Sequence, residues 1–302
     1  MIVPKPLFPG ARVALVCASS YVPAERLEPA VAAVRALGLS PVVYESSSAR
    51  HGYFAGSDEL RAGDLMRAFL DPAIDGVLCI RGGYGAHRLL PRLDVPAVAA
   101  HPKFFSGYSD VTSLHIAFNQ AGLATWHTIM PSTEYYEPQD AYTMDHLRRA
   151  LFGGLSGRVS MPAGHRAETL VSGAAEGRLC GGNLSLAVAS LGTPWELDTR
   201  GKILFLEDVN EMVYRVDSML TTLRNAGKFR DCAGVVLGYF TDCRPEDPAA
   251  SLTLREVFEE LVVPAGKPAI LNFPCGHARP CCALPLGGMA RLDADGAALA
   301  LL

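Results

Sequence analysis

The sequence predicts an α/β protein, with a doubly wound parallel sheet in its first half and a smaller α/β domain of mixed strands in its second. Short, unbroken apolar runs such as Val13–Ala18 and Gly76–Ile80 have the pattern of strands buried on both faces. Segments with helical spacing alternate with these runs, the order that builds parallel strands joined by crossover helices. Two of the runs pass straight into glycine-containing turns, and in such sheets ligands bind beyond the carboxyl ends of the strands.

In chain order, the strand at Val13–Ala18 is followed by a helix over Pro23–Leu37, with Leu27, Val31 and Val34 on one face and Gly38 as its stop. A second strand is expected at Pro41–Tyr44. The next helix opens at Ser57-Asp58-Glu59, acidic residues in its first turn, and carries Met66, Phe69 and Leu70 inward. Strands follow at Gly76–Ile80 and Lys103–Ser106. After Ala124–His127 the pattern loosens, and residues 136–165, rich in Gly and Pro with one helix near Met144–Phe152, read as a linker. Domains are therefore expected over 1–135 and 166–302. In the second, Ile203–Leu206, Val235–Phe240 and Ala269–Phe273 read as strands, with short strands near the C-terminus. Met212, Val216, Met219, Leu220 and Leu223 form the inward stripe of a helix.

Composition narrows the function classes. The 302 residues carry a net charge of −4 with no long basic stripe, which argues against nucleic acid or an anionic membrane surface as partner. No apolar run approaches the roughly 18 residues of a membrane span, and the N-terminus does not read as a signal peptide, so a cytoplasmic protein is expected. Of the eight cysteines, Cys17, Cys79 and Cys232 fall in or beside apolar runs and read as small buried hydrophobes. Cys275, Cys281 and Cys282 crowd near His277, but adjacent cysteines rarely ligate one tetrahedral zinc and there is no C-x-x-C. Neither a metal nor another cofactor is expected.

Chemistry concentrates at three places. The run Phe104-Phe105-Ser106-Gly107-Tyr108-Ser109-Asp110 enters a glycine, and an amphipathic helix is expected to leave from Asp110, so Ser109 should occupy a sharp strand-to-helix turn. A helix start offers N–H groups and a positive dipole end to a developing oxyanion, although a plain helix cap would give the same pattern. The strand at Gly76–Ile80 runs into Arg81-Gly82-Gly83-Tyr84-Gly85, which matches no phosphate-binding signature and fits an oxyanion loop or a simple glycine turn. In the second half Glu207-Asp208 ends a strand and His277 lies in a Gly/Pro turn; alone, each would read as a solvated group. Together Ser109, Glu207 and His277 are the parts of a serine acyl-transfer triad, with His87, His101, His115 and His127 as competing bases.

These motifs resemble the LD-carboxypeptidase family of serine peptidases, which includes murein tetrapeptide carboxypeptidases and microcin C self-immunity peptidases. The resemblance runs through Gly52-Tyr53-Phe54-Ala55-Gly56, Arg81–Gly85, Gly107–Thr112, Gly181-Gly182-Asn183-Leu184-Ser185, Leu206-Glu207-Asp208, and Gly276-His277 with Leu284-Pro285-Leu286-Gly287. It implies Ser109 as nucleophile, His277 as base, Glu207 as orienting carboxylate, and backbone N–H groups of Asp110, Gly82 and Gly83 as the oxyanion hole. It further implies an N-terminal domain like class I glutamine amidotransferases and a homodimer. The activity implied is removal of a terminal D-amino acid from an L-centre in a muropeptide. The alternatives are cleavage of an aminoacyl-nucleotide conjugate, a non-catalytic small-ligand binding protein, and a zinc hydrolase using His277 and its cysteine neighbours. Arginine is the natural partner of a substrate carboxylate, which makes Arg81 and Arg215 candidates; Trp126 or Trp195 could stack on an aromatic substrate.

Overall fold

The computed structural model describes Met1–Leu302. The chain forms two compact units, Met1–Leu155 with Ala283–Gly287, and Ser156–Cys282 with Gly288–Leu302.

The first unit contains β1 (Arg12–Val16), β2 (Ser40–Val43), β3 (Gly76–Cys79), β4 (Phe104–Gly107) and β5 (Thr125–His127), all parallel in the order β5-β4-β3-β1-β2. Every residue of β3 and β4 is buried, as is β1 from Val13 on, which is why these strands read as continuous apolar runs rather than alternating ones. Helices Ala24–Ala36 and Asp58–Leu70 are the expected crossovers, the second capped by the Ser57 hydroxyl, which accepts the Leu60 N–H at 3.2 Å. The helix beyond Ser109 departs from expectation. It runs Thr112–Gln120 and is buried at every position through Phe118, so it is an interior helix rather than an amphipathic one.

The stretch expected to link two domains is divided. Its helix, Ala141–Phe152, is part of the first unit, tied to the N-terminal segment by the Leu7 N–H on Leu151 O at 2.8 Å.

The second unit contains β6 (Gly157–Arg158), β7 (Glu168–Val171), β8 (Ala174–Asn183), β9 (Ile203–Val209), β10 (Gly234–Thr241) and β11 (Ala269–Leu271). The next strand, β12 (Leu284–Leu286), leaves this unit and pairs antiparallel with β5 at the edge of the first sheet. Residues 283–287, which lie within the C-terminal domain expected over 166–302, are therefore part of the first unit. An edge is where Pro285, with no N–H to donate to a ladder, can be accommodated. Strands β13 (Met289–Asp293) and β14 (Ala298–Leu301) complete an eight-stranded sheet in the order β6-β14-β13-β8-β9-β10-β11-β7. Its central four strands, β8 to β11, are parallel, so β8 and β9 end side by side with Asn183 opposite Glu207. The helix Val213–Asn225 buries Val213, Val216, Leu220 and Leu223, whereas Met212 precedes it and is exposed, so Met212 is not part of the stripe. No helix is long and apolar enough to cross a membrane.

Candidate active site

Ser109 follows β4 by two residues and has φ of +63°, in the left-handed region that costs an ordinary residue about 1–2 kcal/mol. A short 3₁₀ turn over Ser109–Val111 then leads into the interior helix, so the serine is the apex of the strand-to-helix turn. Gly107 lets the chain turn there: a Cβ on it would lie 3.0 Å from both Cys79 Cβ and Val111 Cγ1. The base of the turn is fixed by buried polar side chains. His115 bonds Gly107 O at 2.9 Å through Nε2 and Thr125 Oγ1 at 2.8 Å through Nδ1, and full burial pushes its pKa down to about 4, leaving a neutral ring. Tyr108 donates its hydroxyl to Glu134 Oε1 at 2.6 Å, while Glu134 Oε2 accepts the Met130 N–H at 2.7 Å.

The loop after β3 meets this turn directly. A Cβ on Gly82 would fall 3.0 Å from Ser109 Cβ and 3.2 Å from its Oγ, so any larger residue would press on the serine. The Asp110 carboxylate, buried, accepts the Ala86 N–H at 2.7 Å and so ties the far end of the loop to the residue after the serine. Gly83 and Gly85 have φ of +114° and +120°, which fixes the loop's path.

In the second unit, His277 Nδ1 lies 2.6 Å from Glu207 Oε2, with Glu207 fully buried at the end of β9. Because a carboxylate only accepts, Nδ1 donates and the basic lone pair of the neutral ring resides on Nε2. Clearance for the pair comes from Gly276, with φ of +131°, where a Cβ would stand 2.9 Å from Glu207 Oε2. Asn183 donates to Asp208 Oδ1 at 2.9 Å and lies 3.4 Å from Glu207 Oε1, while Asp208 Oδ2 accepts from Ser185 N at 3.0 Å and Oγ at 2.7 Å. Reading the residues singly missed Asn183 and Asp208 as parts of this network. Their signal was a Gly-Gly-Asn ending one strand opposite a Glu-Asp ending another.

Comparison with known proteins decides the family. Residues 13–128 match the model of the LD-carboxypeptidase N-terminal domain, and residues 176–292 that of the C-terminal domain. The chain belongs to the LD-carboxypeptidase family. A probable murein peptide carboxypeptidase of Bacillus subtilis is 38% identical over 292 residues, covering 96% of this chain and 91% of that protein. The crystal structure of a muramoyltetrapeptide carboxypeptidase from Oxalobacter formigenes superposes with a TM-score of 0.84 at 29% identity, over 96% of this chain and 98% of that one. A microcin C7 self immunity protein solved in complex with aspartyl sulfamoyl adenosine gives 0.91 at 23% identity, over 100% and 98%, a likeness of fold.

Other candidate residues of this family member are placed differently from expectation. Trp126 is 7% exposed and stacks on Phe104 with ring centroids 4.6 Å apart, so its ring is core packing and not a surface for an aromatic substrate. Arg215 is exposed on its helix, 3.8 Å from Glu211. Arg81 is half-buried and donates to Tyr21 O, on the side of β3 away from Ser109. His101 is exposed, its Nδ1 on Ala97 O at 2.9 Å, and His115 has both ring nitrogens engaged, which removes two of the competing bases. The eight cysteines are buried free thiols. Cys275 and Cys281 donate to Cys282 O and Gly276 O at 3.3 and 3.4 Å, and no cluster of three or more His, Cys, Asp or Glu side chains is disposed to hold a metal ion.

Proposed function

We propose that this chain is a serine LD-carboxypeptidase that hydrolyses the amide between an L-centre and a terminal D-amino acid in muropeptides, working in the cytoplasm. The observation that carries the reading is Ser109 held at φ +63° beside Gly82, because a left-handed serine at a strand-to-helix apex presents its hydroxyl outward at the expense of backbone strain. In this mechanism His277 Nε2 takes the Ser109 proton as Oγ bonds to the scissile carbonyl carbon. Glu207 fixes the Nδ1–H tautomer and stabilises the imidazolium. Backbone N–H groups of Asp110, Gly82 and Gly83 receive the oxyanion. The imidazolium then protonates the departing D-amino acid nitrogen as the C–N bond breaks. Water, deprotonated by the same imidazole, cleaves the acyl ester and restores the serine.

Release of free D-alanine from a muropeptide tetrapeptide tests this reading, with an acyl-sulfamoyl-adenosine compound as the competing substrate. The expected result is D-alanine release together with covalent labelling by a serine-directed reagent, both lost in Ser109→Ala. Unchanged peptide cleavage by that variant rejects the mechanism, and binding without turnover by the native protein would make it a binding protein. The buried free thiols suit a reducing compartment.

A further inference from the structure

The rim of the first sheet carries five arginines whose circumstances differ. Arg61, Arg88 and Arg92 are ion-paired with Asp58 or Glu59. Arg50 and Arg81 form no ion pair, yet both lie against one ring: their guanidinium carbons are 4.1 Å and 5.8 Å from the centre of Tyr21. Two cations gathered on one aromatic side chain repel each other, and an anion between them would remove that cost.

The arrangement is fixed by the backbone beneath it. Arg81 donates to Tyr21 O, the Tyr21 N–H donates to Tyr53 O at 3.2 Å, Arg50 Nε donates to Gly52 O at 3.3 Å, and the Tyr84 N–H donates to Ser20 Oγ at 3.1 Å. Loops from the carboxyl ends of β1, β2 and β3 are thereby joined on the same rim as Ser109, which follows β4.

We propose that Arg50 and Arg81, gathered against Tyr21, bind a carboxylate on the acyl portion of the substrate, so that the enzyme is specific for acidic peptides. This rests on the peptidase reading above. Distance decides which part of the substrate is held. Tyr21, against which both guanidinium groups lie, follows β1, two strands from β4, and neighbouring strands lie about 4.8 Å apart, so that ring is about 10 Å across the sheet from the Ser109 turn. One extended residue spans about 3.5 Å, so the carboxylate of a single departing residue falls well short, whereas one borne two or three residues before the scissile bond reaches. Arg81 therefore serves the acyl side and not the terminal carboxylate.

The test compares two synthetic peptides ending in D-alanine, identical except that the residue two or three positions before the scissile bond bears a carboxylate in one and a carboxamide in the other. In the native protein the amide should lower kcat/KM by roughly ten- to a hundredfold, chiefly through KM, as expected for charge-assisted hydrogen bonds to one anion. In the double variant Arg50→Gln, Arg81→Gln the acid-to-amide ratio should fall to near one, and Arg50→Lys, Arg81→Lys should keep part of it. Because a ratio cancels any general loss from disturbed loops, a native ratio near one, or a native-sized ratio in the glutamine variant, overturns the proposal. If neither peptide is cleaved the peptidase reading fails, and calorimetric binding of the same pair then judges the arginines separately. A preference for the acid that the glutamine variant loses supports them, and no preference overturns them.

Discussion

The Ser109 turn and the Glu207–His277 pair are held by different kinds of force. The serine is placed by main chain: a left-handed φ, a neighbouring Gly82 without a side chain, and a buried helix behind it. The histidine is placed by side chain: a 2.6 Å bond to a buried carboxylate that is itself 3.4 Å from Asn183. The φ of the serine is set by the turn itself and only its base is braced by side chains, whereas a hydrogen-bonded relay is weakened by each member removed. The two regions should therefore respond differently to the same class of substitution.

The largest effects are expected on removing the groups proposed to react. Ser109→Ala and His277→Ala should each reduce kcat for D-alanine release by roughly 10⁶-fold with the fold intact by circular dichroism, since members of such a relay act as a unit. Glu207→Gln should cost about 10³- to 10⁴-fold, because an amide keeps the geometry but its NH2 can donate to Nδ1, which leaves the ring in the wrong tautomer, and it no longer stabilises the imidazolium. Near-native activity in Glu207→Gln would make the carboxylate a structural group.

Substitutions at the two clearance glycines sharpen the contrast. Gly276→Ala forces a Cβ to 2.9 Å from Glu207 Oε2 at φ +131°, so it should displace the carboxylate and lower kcat by of order a hundredfold. Gly82→Ala meets Ser109 Cβ at 3.0 Å with an ordinary φ, so a shift of a few tenths of an ångström suffices and a loss of about tenfold is expected. Steady-state kinetics on both variants checks the order; a greater loss at Gly82 would reverse the comparison.

How much of this was legible in the sequence follows the same division. Strands β1, β3 and β4 were legible because burial on both faces writes itself as an unbroken apolar run, and Ser109 stood out because such a run ended in glycine. Glu207 and His277 are far apart in sequence, and without the resemblance each looked like a solvated loop group; only the 2.6 Å contact distinguishes them. Trp126 misled because a lone tryptophan looks like a ligand surface until Phe104 is found stacked against it. The return of Leu284–Leu286 to the first sheet was illegible because local pattern specifies a strand but not which open edge it joins.

Smaller effects lie in stability. His115 is buried neutral with its pKa lowered from 6.5 to about 4, so the unfolded chain binds the extra proton first. It costs nothing above pH 6.5; stability is lost as the pH falls from there toward 4, and the loss totals about 3 kcal/mol below that. Chemical denaturation between pH 7 and 4 should show a shallower loss in His115→Gln than in the native protein. Equal slopes would mean that His115 does not govern this window.

The smallest expected effect separates strain from catalysis most directly. At φ +63° a serine carries a conformational penalty that glycine does not, while glycine gives back part of the gain through its freer unfolded chain. Ser109→Gly should therefore raise stability by about 0.5–1 kcal/mol while abolishing turnover, and Ser109→Ala, which keeps a Cβ, should not share the gain. Denaturant midpoints of the three proteins measure this difference. If Ser109→Gly is no more stable than the native protein, the turn stores no strain, and the serine is where it is for reasons the backbone does not supply.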